Sequence, residues 1–227
     1  MTQHARTALF AYPVKAAFGR VVPKAKLYEH GSVGTRLKGL FTEQVEQIVW
    51  QYKLAPETIN LPASPGVPEI QIFSVRLRAP ELHHDVLRGM DSAIAFPLLF
   101  ELNFEDRIQV IAAYKRPSEA DAARWVCSDY FATGWLPTSS PRKAMPTALN
   151  LGNLYQQMLS ALVALPARAS ESLPALVERA SQVQALRHEL HKAVSRLEKE
   201  RQFNRRVEIN ASVRELKHNL KLLEGNA

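Results

Sequence analysis

The stretch that decides the fold is Leu98-Leu99-Phe100-Glu101-Leu102-Asn103-Phe104-Glu105-Asp106-Arg107-Ile108-Gln109-Val110-Ile111-Ala112-Ala113-Tyr114. Two apolar runs, 98–102 and 108–114, flank a short turn at 103–106, and this pattern predicts a β-hairpin. Pro97 stands just ahead of the first run, where a missing donor is tolerated. Upstream, Ile70, Ile72, Phe73, Val75 and Leu77, with Arg76 and Arg78 turned outward, predict another strand, and Leu82, Val86 and Leu87 predict a short helix over 80–89. Downstream, Trp125 to Phe131 predicts a further strand, a proline-bearing loop spans 137–146, and an amphipathic helix is expected over 148–165.

Further towards the N-terminus, Thr42 can cap a helix, Glu43 and Glu46 suit its positive end, and Val45, Ile48, Val49 and Tyr52 recur at helical spacing. A core-facing helix is therefore expected over 42–52. Pro56 and the run Leu61-Pro62-Ala63-Ser64-Pro65-Gly66-Val67-Pro68 end it in a turn-rich connector. Residues 21–28 read as a short extended segment, followed by a loop carrying Gly31, Gly34 and Gly39. The order from Thr42 (α, β, α, β, β, β, α) predicts an α+β domain over 1–166: a mixed, mainly antiparallel sheet with flanking helices.

Pro166 and the small polar stretch 167–171 are expected to form a hinge, and helix formers dominate the tail, 167–227. Val183, Leu186, Leu190, Ala193 and Leu197 make one heptad stripe, and Ile209, Val213, Leu216, Leu220 and Leu223 make a second. The register slips across 198–206, so the tail is expected to be one long helix or a helical hairpin of coiled-coil type. An exposed stripe of this kind needs a covering surface: Val183, Leu186, Leu190, Leu197, Val213, Leu216 and Leu220 are the expected partner-binding stripe.

With 227 residues and 46% hydrophobic content, the chain can build a packed core. The single cysteine, Cys127, allows no disulfide framework; packing in a reducing compartment, the cytoplasm, is expected. The most apolar stretch, 149–165, is broken by Asn150, Asn153, Gln156, Gln157 and Ser160, so no membrane span is expected. The start, with His4, Arg6 and a short apolar run from Ala8 to Ala11, lacks the apolar length of a signal peptide. Net charge is +7 and lies at the two ends: residues 1–60 hold 8 Lys and Arg against 4 acids, 61–169 hold 10 against 10, and 170–227 hold 11 against 8. A polyanionic partner such as DNA or RNA fits that distribution, and so does simple solubility.

Motifs of catalysis are sparse. The glycines form no phosphate-cradling spacing. His188 and His191 lack the zincin spacing, and His83-His84-Asp85 reads as a solvated face, so no metal or other cofactor is expected. Cys127 reads as a small core residue. Glu69, Asp91, Glu101 and Lys115 are the residues a metal-dependent nuclease would use, but Ala113 stands where the tight acid-x-Lys element needs a carboxylate. Lys115 is accordingly expected as an exposed strand-end charge. The clearest basic groups, Lys24, Lys26, Arg36 and Lys38 near the start and Arg201, Arg205 and Arg206 in the tail, could hold a phosphate backbone. Glu198, Glu200 and Glu208 equally fit a solvated helix face.

Two stretches, Ile48-Val49-Trp50-Gln51-Tyr52-Lys53-Leu54-Ala55-Pro56-Glu57-Thr58-Ile59-Asn60 and Gln202-Phe203-Asn204-Arg205-Arg206-Val207-Glu208-Ile209-Asn210, stand with Glu69-Ile70-Gln71-Ile72-Phe73, Ala113-Tyr114-Lys115 and Arg214-Glu215-Leu216-Lys217. Together they resemble the bacterial domain-of-unknown-function family 4391 over nearly the whole chain. The resemblance implies helicase and methyltransferase neighbours in restriction-like or phage-defence gene clusters, and it brings no catalytic residues. Lys53, Thr58 and Lys115 match the family's pattern and imply a shared polar site; a helix-ending structural turn fits the Lys-Leu-x-Pro-x-Thr element equally well.

Three readings of function follow. The first is a non-catalytic accessory subunit that docks on a helicase or methyltransferase through its C-terminal helices and contacts DNA with its basic ends. The second is a metal-dependent nuclease or other nucleic-acid enzyme built on the sheet. The third is a homodimeric scaffold.

Overall fold

The computed structural model describes residues 8–30, 34–118, 120–121 and 125–225. Gly31, expected in a loop, and His4 and Arg6 of the start lie outside the described residues. The chain divides into two compact units, Met1–Leu162 and Val163–Ala227.

The first unit is built on one mixed sheet. In chain order its elements are β1 (Phe10–Ala11), a 3-10 turn (Val14–Ala16), β2 (Ala17–Val21), α1 (Lys24–His30), α2 (Thr35–Gln44), β3 (Val45–Leu54), α3 (Pro56–Ile59) and β4 (Ile70–Leu77). There follow α4 (His84–Ala93), β5 (Leu98–Phe104), β6 (Arg107–Pro117), β7 (Trp125–Ala132), β8 (Leu136–Pro137), β9 (Lys143–Ala144) and α5 (Leu151–Ser160). The sheet runs β2-β3-β4-β5-β6-β7, with β8 also on β6, while β1 and β9 pair separately. Its neighbours are antiparallel except β4 and β5, which are parallel and joined through α4. That one crossover needs a helix, because parallel strands cannot be joined by a tight turn.

The 98–114 hairpin forms as expected: β5 and β6 pair down to Phe104 and Arg107, and Glu105 takes a left-handed φ of 50° in the turn. Alternation along the strands sorts the core. Phe73, Val75 and Leu77 of β4, with Leu98, Phe100 and Leu102 of β5, meet Leu27 of α1, Phe41 of α2 and Val86, Leu87 and Met90 of α4 in one apolar cluster. Glu101, between Phe100 and Leu102, points to the opposite face. There Arg142 holds it with a two-pronged ion pair at 2.7 and 2.9 Å and also donates to Phe10 O.

The expected helix over 42–52 is not there. Helix α2 ends at Gln44, and Val45–Leu54 is the central strand β3. Two bulges explain the misleading spacing: Val45 and Gln47 of β3 oppose Leu77 and Arg76, and Trp50 and Tyr52 oppose Phe73 and Ile72. Each inserts an extra residue, so Val45 and Ile48, three apart, are both buried. The period of two is locally lengthened into one that imitates a helix. β-Branched and aromatic residues at 45, 48, 49, 50 and 52 suit the strand. Residues 24–28, expected to be extended, belong to helix α1, whose Leu27 is buried in the core. The helix expected over 80–89 starts later, at His84, where the His83 ring accepts the Asp85 N–H as a cap. The one expected over 148–165 is confined to Leu151–Ser160, capped by Asn150 accepting from Asn153 N.

The second unit carries two long helices, α6 (Leu173–Lys199) and α7 (Phe203–Glu224). The helix is interrupted at residues 200–202, inside the stretch where the register slips. Arg179, near the start of α6, donates to Leu223 O at the end of α7, so the two helices fold back as an antiparallel hairpin. Val183, Ala193, Val213 and Leu220 are buried, and Leu186, Leu190, Leu197 and Leu216 are half-buried. Arg179 is the polar centre of this unit: it also donates to Pro166 O and to both carboxylate oxygens of Glu171 at 2.7 Å. Arg168 adds a donor to Leu222 O, so two guanidiniums satisfy carbonyls that the end of α7 leaves open.

The hydrogen bond from Arg179 holds the Glu171 carboxyl down at about 2, from an ordinary 4.5. A depressed carboxyl contributes stability above its unfolded value and loses it as the pH falls through the folded one. Glu171→Gln is therefore expected to lower the melting temperature at neutral pH, with the gap to wild type closing between about pH 4.5 and 2. A gap of constant size across that range in circular-dichroism melts would show that the pair contributes no linkage.

Candidate functional site

Three polar clusters in the first unit contain the residues singled out in the sequence. The deepest is centred on Lys115, whose side chain is wholly buried rather than exposed at a strand end. Its ammonium donates to Asp91 O and Ile94 O, and Asp91 Oδ1 lies at 3.5 Å. Both carbonyls belong to the C-terminal end of α4, where a cation is favoured by the helix dipole. Tyr130 OH donates to the other oxygen of Asp91, and the Arg88 guanidinium lies 4.8 Å over the Tyr130 ring. Tyr155 OH of α5 donates to Ala113 O at 2.9 Å and accepts Lys115 N–H at 2.8 Å.

The local backbone explains why Lys115 turns inward. Ala113 and Lys115 pair with Tyr130 and Cys127, so β7 carries an extra residue there, and Ser128 Oγ accepts the Tyr114 N–H at 2.9 Å. Burial dominates the electrostatics. It raises the Asp91 carboxyl and lowers the Lys115 ammonium in spite of their mutual attraction, and it holds the Tyr130 hydroxyl protonated. Cys127 is pushed up to about 11, first by burial and then by Asp91, which leaves it a thiol rather than a nucleophilic thiolate.

The second cluster joins Lys53, Glu57 and Glu69. Lys53 Nζ lies 2.7 Å from Glu57 and 3.4 Å from Glu69, and Gln71 donates to Glu69. Thr58 caps the start of α3: its hydroxyl oxygen accepts Ala55 N–H at 2.9 Å and lies 2.7 Å from Lys53 O. The Lys-Leu-x-Pro-x-Thr element thus closes a strand-to-helix turn. Lys53 and Thr58 meet there, but Lys115 sits in the separate cluster around Asp91. The third cluster is Glu101 with Arg142, beside Tyr12, whose buried hydroxyl has no partner among the described residues. Glu69, Asp91 and Glu101 consequently fall in three different places, and no group of three or more His, Cys, Asp or Glu arranged to hold a metal occurs among the described residues.

The basic groups also separate. Lys24 donates to Val45 O, Arg36 pairs with Asp85 at 3.6 Å, and Lys38 lies over the Tyr28 ring at 5.6 Å. Lys26 borders a groove beside β2. Arg201, Arg205 and Arg206 are exposed together at the bend of the helical hairpin, around an exposed Phe203. His84 packs edge-on against Tyr130, and His188 and His191 are exposed on α6.

Removing the Lys115 cation leaves the buried Asp91 charge and two α4 carbonyls without their donor. Lys115→Met is expected to cost about 3–5 kcal/mol, as for one partner of a buried ion pair. Adding Asp91→Asn should recover part of that loss, so the double variant is more stable than Lys115→Met alone. Urea unfolding measures both, and a wild-type midpoint for Lys115→Met would overturn this assignment.

No helix among the described residues is long and apolar enough to cross a membrane. No curated protein and no solved structure matches the chain. Residues 10–220, from β1 into α7, match the family described as domain of unknown function (DUF4391), and the chain belongs to that family.

Proposed function

We propose that the protein is a binding subunit of a DNA-processing assembly of restriction-like or phage-defence type, and that it contacts nucleic acid through the tip of its helical hairpin. One observation carries this reading: Arg201, Arg205 and Arg206 are exposed around Phe203, which is itself 78% exposed. Arg205 and Arg206 occupy the first turn of α7, which has no acidic residue. Three guanidiniums at the positive end of a helix repel one another and oppose its dipole, a strain that an anionic backbone relieves. Glu200 answers only part of this charge: its carboxylate accepts the backbone N–H groups of Arg201 and Gln202 at 2.8 and 2.9 Å, and Arg206 donates to its backbone O at 3.1 Å. Arginine forks match phosphate oxygens, and a flat exposed ring stacks on a base.

The buried ionisable groups support binding over catalysis. Buried Lys115 and Asp91 spend their charge on each other, and buried Glu101 spends its charge on the more exposed Arg142. The second partner, a helicase or methyltransferase, would engage the outer surfaces of the C-terminal helices, where Val207 and Leu222 are about half exposed.

Fluorescence anisotropy with labelled single- and double-stranded DNA and RNA across a salt series tests the reading. Binding should weaken with salt, and the triple variant Arg201→Ala, Arg205→Ala, Arg206→Ala should lose at least about tenfold in affinity, with a log–log salt slope shallower by up to about 0.9 for each phosphate contact removed. Melting should not fall appreciably, because all three side chains are exposed. Salt-insensitive binding, or a triple variant that binds like wild type, would refute it.

A further inference from the structure

Beside edge strand β2, the first unit holds a groove of about 480 Å³, within the roughly 300–1,000 Å³ of small-ligand sites. Its aromatic wall is Phe18 and Trp50, with ring centroids 4.2 Å apart, and Trp50 is stacked over Phe73 at 6.1 Å and 18°. Its polar groups come from neighbouring positions. Arg20 lies over the Phe18 ring at 4.6 Å, Lys26 of α1 lines the same groove, and Glu69 and Gln71 line it at alternate positions on the β4 side.

The backbone that presents these groups is bulged. Ala17 and Arg20 oppose Tyr52 and Trp50, so β2 carries an extra residue, and Gly19 takes the left-handed φ of 63° that the bulge requires. Phe18 and Arg20 thereby flank a glycine on the rim of the same groove. Gln71 is buried and donates to Glu69, whose charge is shared with Lys53 at 3.4 Å. The groove therefore offers an aromatic surface, a polar amide–carboxylate pair and two exposed cations.

We propose that this groove binds a nucleotide. The base lies along Phe18 and Trp50, its hydrogen-bonding edge meets Glu69 and Gln71, and its phosphate is held by Arg20 and Lys26. A purely apolar ligand would leave Arg20 and Lys26 unanswered, and a cationic one would be repelled by them. A free nucleotide and an unstacked nucleotide of a single strand share this chemistry. The site is separate from the hairpin tip and stands whether or not that surface binds nucleic acid.

The test is titration of the full chain with AMP, GMP, CMP and UMP, followed by tryptophan fluorescence and calorimetry. A second arm uses short single-stranded oligonucleotides and the variant lacking the three hairpin arginines, so that binding at the tip cannot mimic the groove. Saturable binding is expected, with Arg20→Ala and Lys26→Ala each weakening it about tenfold, and with Trp50→Phe removing most of the quenching while calorimetric binding persists. Saturation by a mononucleotide identifies a free ligand, and saturation by oligonucleotide alone identifies a strand; either supports the proposal if Arg20→Ala weakens it. No binding of any probe at millimolar concentration, or binding indifferent to both Arg20→Ala and Lys26→Ala, would overturn it.

Discussion

The ammonium of Lys115 is the constraint around which the first unit is arranged. It comes from β6 and terminates α4, because its acceptors, Asp91 O and Ile94 O, are carbonyls that a helix end leaves open. Helix α4 is also the crossover between β4 and β5, the one parallel pair of the sheet. A single buried cation thus fixes the helix on which the strand order depends. Burial disfavours both charges of the pair, as the raised Asp91 and lowered Lys115 indicate, so its role is to fix geometry rather than to add net stability.

Register irregularities shape what lies around that centre. The bulge in β7 gives Ser128 the Tyr114 N–H to satisfy, next to the inward-turned Lys115. Two bulges in β3 let one strand carry apolar residues at spacings of three and one, and the bulge at Gly19 twists the edge strand where the groove opens. Extra residues of this kind re-aim side chains without disturbing the ladder on either side.

The second unit solves a different problem with the same means. Two amphipathic helices cover part of each other's apolar stripe, while Arg179, Arg168 and Glu171 satisfy the end of α7. Polar satisfaction is concentrated at that end of the hairpin. At the bend, Glu200 serves the backbone and accepts one bond from Arg206, and the three arginines there remain exposed. The contrast between a closed end and a charged, aromatic one gives the hairpin its direction.

The sequence by itself determined the elements whose signals are local. The hairpin over 98–114, the strand at Ile70–Leu77, the α+β class and the register slip across 198–206 follow from turn residues, alternation and heptad spacing, each set within a few residues of chain, whereas the choice of a hairpin over one long helix does not. It was misleading wherever a partner strand decides. Val45 to Tyr52 carries a spacing that a helix and a doubly bulged strand share, and only pairing with β2 and β4 selects between them. Lys115 gave no local sign of burial, since the groups that accept its ammonium lie more than twenty residues away in sequence. Glu69, Asp91 and Glu101 could be named as acids from the sequence, but their separation into three clusters, and the meeting of Phe18, Arg20, Lys26 and Trp50 in one groove, are products of strand order. Long-range pairing brings such residues together or keeps them apart, and that information resides in no single segment of the chain.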